Sequence, residues 1–123
     1  SKMDAVKKAL VLADRVLIPV TPSQADVWAT QQFITIVEES TKGKKTPEIF
    51  TFLNRADTHP GSRENIETEE VLRLIPGLTV LDYKLSQRMA FRRSFSEGMG
   101  VFELEPHGKA ASELNNLAKS LFA

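Results

Sequence analysis

The chain has 123 residues, the size of one domain or a piece of one. Its 41% hydrophobic content supports a packed core and excludes disorder as a whole-chain description, while 16 basic against 16 acidic residues exclude a globally basic nucleic-acid binder, so any such surface is a local patch. The absence of cysteine excludes disulfides, thiolate metal sites and cysteine nucleophiles and suits a reducing cytoplasm; no apolar run approaches the roughly 20 residues of a membrane span, and no secretory signal is visible.

Met3 to Ala13 sets Val6, Ala9, Leu10 and Ala13 at i, i+3, i+4 and i+7, which predicts an amphipathic helix. Val16 to Val20 is a continuous apolar run, the pattern of a strand covered on both faces. Pro19 cannot donate a ladder hydrogen bond, so it is placed at the strand's end, with Thr21-Pro22 leading out. The carboxyl end of such a strand is where open α/β sheets bind ligands. Ser23 and Asp26 are each able to cap the next helix, which runs to about Ser40 with Ala29, Phe33, Ile36 and Val37 on one face. Lys42-Gly43-Lys44-Lys45 is a polar break.

Glu48 to Asn54 predicts a second buried strand, and Ala56 to Ser62 a loop of turn formers. A helix from about Glu64 to Ile75 is stopped by Pro76-Gly77, and Leu78 to Tyr83 forms a third short strand. Ser86 caps a helix to about Glu97, closed by Gly98. Pro106 begins the last helix, with the stripe Ala110, Leu114, Leu117, Ala118 and Leu121. Strands alternating with helices predict an α/β fold with a parallel sheet, about three strands and five helices. Three strands make a thin sheet for so many helices, which points to further strands from other sequence or another chain. The first residue is Ser1, and the expected start of the chain is inside a longer protein.

Four segments, in order, carry a family resemblance. They are Ala9-Leu10…Ala13-Asp14-Arg15-Val16-Leu17-Ile18-Pro19-Val20…Pro22; Phe52-Leu53-Asn54-Arg55; Arg88-Met89-Ala90-Phe91…Ser94…Gly98…Val101; and Ala110-Ala111…Glu113-Leu114. Together they resemble the carboxyl-terminal half of a ParA/MinD-type ATPase, the deviant Walker A P-loop family, over nearly the whole chain. The resemblance implies a three-layer α/β/α fold, with residues 1–123 as the C-terminal portion of one ATPase domain. It implies ATP and magnesium as cofactors of the full-length protein, none held by this chain alone. It also implies a homodimer, binding to nonspecific DNA, and a centromere-binding partner protein, for plasmid or chromosome partition. The partition branch fits better than the MinD branch, because no amphipathic membrane-targeting helix follows the closing helix.

One departure is large. The Gly-rich phosphate loop with its two lysines is missing, as is the strand ending in the aspartate that organises magnesium. Gly43-Lys44-Lys45-Thr46 is no substitute: it has one glycine, and Pro47 follows directly, whereas a phosphate loop curls several backbone N–H groups around the anion. The chain alone is therefore expected not to catalyse anything, and it offers neither catalytic nor metal residues.

The candidate nucleotide-binding residues are Asn54 and Arg55, at the carboxyl end of the second strand. A side-chain amide offers a donor and an acceptor to the edge of a base. The alternative is that Asn54 only caps the turn before Ala56-Asp57. By the resemblance, Asn54 lies against adenine and the loop from Tyr83 to Leu85 closes over it. Lys84, Arg88, Arg92 and Arg93 form the one dense basic cluster near a helix, with Arg88 and Arg92 on one face. Such a face holds DNA phosphates without reading sequence; the alternative is a solvated helix face.

Glu64, Glu67, Glu69 and Glu70 show no convergence on a cleft, and Arg63 and Arg73 nearby predict surface pairing. His59 and His107 are isolated, which gives no zinc pattern. Ser23 and Ser94 lack a base. Trp28 is read as an anchor in packing or in a subunit interface. Two other functions share the pattern: a non-enzymatic α/β module for DNA, protein binding or dimerisation, and a ligase-like P-loop relative.

Overall fold

The structure, a computed structural model, describes residues 2–59, 61–86 and 108–122. The strands are β1 (Arg15–Val20), β2 (Glu48–Leu53) and β3 (Leu78–Val80); the helices are α1 (Lys2–Leu12), α2 (Gln24–Ser40), α3 (Arg63–Arg73) and α4 (Lys109–Phe122). The sheet has the order β1-β2-β3 and is parallel throughout, with register from Arg15↔Glu48 to Val20↔Leu53 and from Ile49↔Leu78 to Thr51↔Val80. The expected α/β class is therefore observed. The fifth predicted helix, after Ser86, lies outside the described residues.

The alternation along β2 builds the layers. Ile49, on one face, joins Leu10 of α1 and Ile34 and Val37 of α2, and Leu53 on the same face joins Leu72 of α3. Phe50 and Phe52 point the other way and pack with Leu81, Leu117 and Leu121, so α4 covers the second face. Successive side chains of a strand point to opposite faces, and β2, covered on both, reads as one apolar run. Within it Thr51 is fully buried and donates its hydroxyl to the Ile18 carbonyl at 2.7 Å.

β1 departs from the expected two-sided burial. Val16, Ile18 and Val20 join the α1–α3 face. Leu17 stays 37% exposed and Pro19 is exposed; α4 packs on the phenylalanines of β2, and at the start of β1 Arg15 donates Nη1 to the Leu121 carbonyl at 3.1 Å. Pro19 also sits inside the paired register, opposite Phe52, and not at a turn. The Asp14 and Val20 carbonyls accept from Glu48 and Asn54 N–H groups, so even positions turn toward β2. Pro19 turns toward the open edge, where a missing N–H costs no ladder bond.

Several helix faces also differ. Among the described side chains of α1 only Leu10 is buried, and Val6 and Ala9 are exposed. In α2 Thr30 and Ile34 are buried while Ala29 is exposed; Thr30 tolerates burial because its hydroxyl donates to the Asp26 carbonyl at 2.8 Å. In α4 Ala110, Ala111 and Leu117 are buried and Ala118 is exposed. β3 ends at Val80, three residues short of the predicted Tyr83, although Leu81 still donates to the Thr51 carbonyl at 2.9 Å.

Candidate functional site

The carboxyl ends of β1 and β2 open into a cavity of about 390 Å3, lined by Thr21, Pro22, Arg55, Asp57, Glu64 and Asn65 with Thr58. The loop after β1 is set by the N-cap of α2 and a return bond from its first turn. Ser23 is the N-cap and accepts the Asp26 N–H at 3.1 Å; Asp26 reaches back to accept the Thr21 N–H at 2.9 Å. Pro22 between them has no N–H to offer, so the carboxylate takes the next one. Of the two capping candidates in the sequence, Ser23 is the cap, and Asp26 instead braces the loop before it.

The loop after β2 is held by Asn65. This side chain is 5% exposed, donates Nδ2 to the Asp57 carbonyl at 2.9 Å and accepts the Asp57 N–H at 3.3 Å. Asp57 in turn accepts the His59 N–H at 2.9 Å, closing an Asx turn. Sequence reasoning passed over Asn65. The available signal was an amide in the first turn of a predicted helix directly after a loop at a strand's carboxyl end.

The two predicted nucleotide residues separate here. Arg55 lines the cavity and carries φ +54°, the one non-glycine residue with positive φ among those described. Asn54 is half-buried and does not line it; its Oδ1 accepts the Arg55 N–H at 3.1 Å, and its own N–H bonds the Val20 carbonyl at 2.8 Å. Both are bracketed by Leu85, whose N–H donates to the Leu53 carbonyl at 2.9 Å and whose carbonyl accepts the Ala56 N–H at 3.0 Å. The segment Tyr83–Leu85 thus runs beside Asn54 and Arg55. Lys84 in it is half-buried, whereas Arg88, Arg92 and Arg93 lie outside the described residues, as do Ser94 and His107.

The donor set decides what this cavity can take. One guanidinium faces two carboxylates, Asp57 and Glu64, with Thr21 and Thr58 hydroxyls beside them. Carboxylates repel polyphosphate and accept from hydroxyl or amino donors, so the lining suits a ligand group that carries such donors. Among the described residues no group of three or more His, Cys, Asp or Glu is placed to hold a metal ion, and no helix is long and apolar enough to cross a membrane. The predicted surface pairing is present: Arg63 lies 3.5 Å from Glu67, and Arg73 lies 3.3 Å from Glu69 and 3.1 Å from Asp82. Trp28 is 63% exposed, so it does not anchor packing within this chain.

No family model matches the chain. Over 109 residues it is 31% identical to "Maintenance of carboxysome distribution protein A" of Halothiobacillus neapolitanus, aligning 88% of this chain with 49% of that protein. The chain therefore spans about half the length of the curated relative it matches. The similarity supports a ParA-like relationship.

Proposed function

We propose, from this ParA-like relationship, that the chain is the C-terminal portion of a partition-type ATPase and supplies the base side of its nucleotide pocket. The observation that carries the reading is the polar cavity at the carboxyl ends of two adjacent parallel strands, the place where such sheets take ligands. Arg55 lines it, and Asn54 stands beside it under the Tyr83–Leu85 segment. Phosphates and magnesium belong to sequence beyond this chain, and ATP bound there would supply the phosphoryl group for in-line transfer by the whole protein. The chain's own residues bind and orient the base and sugar. The name of the relative concerns the distribution of carboxysomes, so the cargo is a replicon or a large cellular body. The basic residues Lys84, Arg88, Arg92 and Arg93 would hold nonspecific DNA as the track, and a cargo-bound partner protein and a second copy of the whole protein complete the system.

The test uses the full-length protein and a fluorescent ATP analogue. Arg55→Ala and Asn54→Ala each weaken binding about tenfold, the cost of roughly one lost polar contact to a buried ligand. Binding that is absent from the wild type, or unchanged in both variants, ends the reading. A DNA gel shift at several salt concentrations tests the track: Arg92→Glu with Arg93→Glu lowers both affinity and its salt slope. Equal shifts in variant and wild type remove the basic face from the proposal.

A further inference from the structure

Leu85 and Ser86 are held to the strand ends from one side and to α4 from the other. The Leu85 N–H and carbonyl bond Leu53 and Ala56 at 2.9 and 3.0 Å, one bond on each side of Asn54 and Arg55. Asn54 is itself fixed to β1 through its N–H on the Val20 carbonyl. Arg55, between these ties, keeps its φ of +54°, a conformation that persists only where the surroundings impose it. From α4, Leu117 joins Phe52 and Leu81 in a cluster on which Leu85 packs. The next residue, Ser86, is 5% exposed, and Glu113 of α4 takes both its donors: Oε1 accepts the N–H at 3.1 Å and Oε2 the hydroxyl at 2.6 Å. Apolar packing is non-directional, whereas two hydrogen bonds from one carboxylate to one residue fix its position and orientation together. An ionised carboxylate offers acceptors only, so it suits a residue that presents two donors.

We infer that Glu113 is a positioning residue of the nucleotide site, acting through Ser86 and Leu85 on Asn54 and Arg55; this rests on the reading of those two residues as the base side of the pocket. Glu113 does not line the cavity at the strand ends, and its effect runs along the backbone. Without it Ser86 is released, Leu85 holds the Ala56 N–H less firmly, and Arg55 loses the tie that follows it. The guanidinium then samples other orientations, and a ligand has to order it on binding, which costs affinity. On the same reading the phosphates are held by sequence beyond this chain, so their contacts are untouched. The affinity lost therefore belongs to the base side of the nucleotide alone.

The experiment titrates the full-length protein with the fluorescent ATP analogue and then displaces the analogue with inorganic tripolyphosphate. Glu113→Ala weakens the analogue about fivefold and Ser86→Ala about threefold, the second retaining the N–H bond to Glu113. Tripolyphosphate binds both variants as it binds the wild type. Glu113→Gln keeps an acceptor for the Ser86 N–H and sets an amide donor against the Ser86 hydroxyl oxygen, so it restores the wild-type affinity. Thr51→Val deletes a different buried hydrogen bond, away from the cavity lining, and leaves the affinity unchanged. Where Glu113→Ala does not fold, Ser86→Ala and Glu113→Gln carry the comparison. Wild-type affinity in Ser86→Ala and in a folded Glu113→Ala overturns the inference. So does an equal loss in Glu113→Gln or Thr51→Val, since a general loosening of the fold then accounts for it, and so does an equal loss for tripolyphosphate. Arg55→Ala, measured alongside, separates the two readings. Wild-type affinity in that variant ends the reading of the pocket and this inference with it. A loss there, beside wild-type affinity in the Glu113 and Ser86 variants, overturns this inference alone.

Discussion

Glu113 grips Ser86 with both carboxylate oxygens. Oε1 accepts the Ser86 N–H at 3.1 Å and Oε2 accepts the hydroxyl at 2.6 Å. Ser86 is 5% exposed and forms a parallel bridge with Ala56. The closing helix α4 is thereby fastened to the Leu85–Ser86 segment, which in turn brackets Asn54 and Arg55. A carboxylate on the last helix thus ties α4 to the segment that runs beside Asn54 and Arg55.

Glu113→Ala should destabilise the full-length protein by about 1–3 kcal/mol, because it strips the partner from a buried N–H and a buried hydroxyl. Ser86→Ala should cost less, since the N–H bond to Glu113 survives. Urea denaturation of both single variants and the double variant measures the coupling, which is expected to be positive. Additive losses would mean that the two residues do not depend on each other.

Asn65→Ala should also cost about 1–3 kcal/mol, from the unpaired Asp57 peptide groups it leaves behind. Asn65→Asp preserves the shape but sets an acceptor against the Asp57 carbonyl and should be no better. Both variants should weaken nucleotide binding as well, because the Asp57–His59 turn loses its tie to α3. Thermal melts and ATP-analogue titrations read the two effects separately. A variant with a native melt would show that Asn65 does not hold the loop.

Arg55 offers a separation of stability from binding. Its positive φ costs an ordinary residue about 1–2 kcal/mol, and glycine escapes that while losing more chain entropy on folding. Arg55→Gly should therefore stay within about 1 kcal/mol of the parent in denaturation. Arg55→Val, β-branched in a left-handed conformation, should fall clearly below it. Both lose the guanidinium, so both should bind the ATP analogue weakly. Tight binding by Arg55→Gly would remove the guanidinium from the site.

Thr51→Val tests the one polar bond inside the central strand. The swap keeps the shape and deletes the hydroxyl donated to Ile18, for an expected loss of about 1 kcal/mol. An unchanged denaturation midpoint would mean that this bond contributes nothing net.

The elements were legible in the residues because their signals are local. The apolar run of β2, the serine cap of α2, the arginine–glutamate pairs of α3 and the Gly77 stop, with φ +79°, each arise within a few residues of the chain. Their alternation was enough to determine a parallel α/β sheet. The basic residues Arg88, Arg92 and Arg93 were visible as a pattern, and their surroundings lie outside the described residues. Other features depended on which elements meet. Leu17 and Pro19 look as buried as Val16 and Ile18 until α4 is seen to pack on the phenylalanines of β2. Asn65 and Glu113 look like ordinary helix-surface residues, and only folding brings them to Asp57, eight residues away, and to Ser86, 27 away. Trp28 reads by type as an anchor in packing or in a subunit interface, and folding leaves it 63% exposed on α2. Sequence by itself determined the three strands, the four described helices and their order, because hydrogen-bonding propensity and hydrophobic period are properties of short segments. Tertiary structure decided which faces are covered and which polar groups hold the strand ends, because burial and long-range hydrogen bonds belong to pairs of elements that the chain order does not place together.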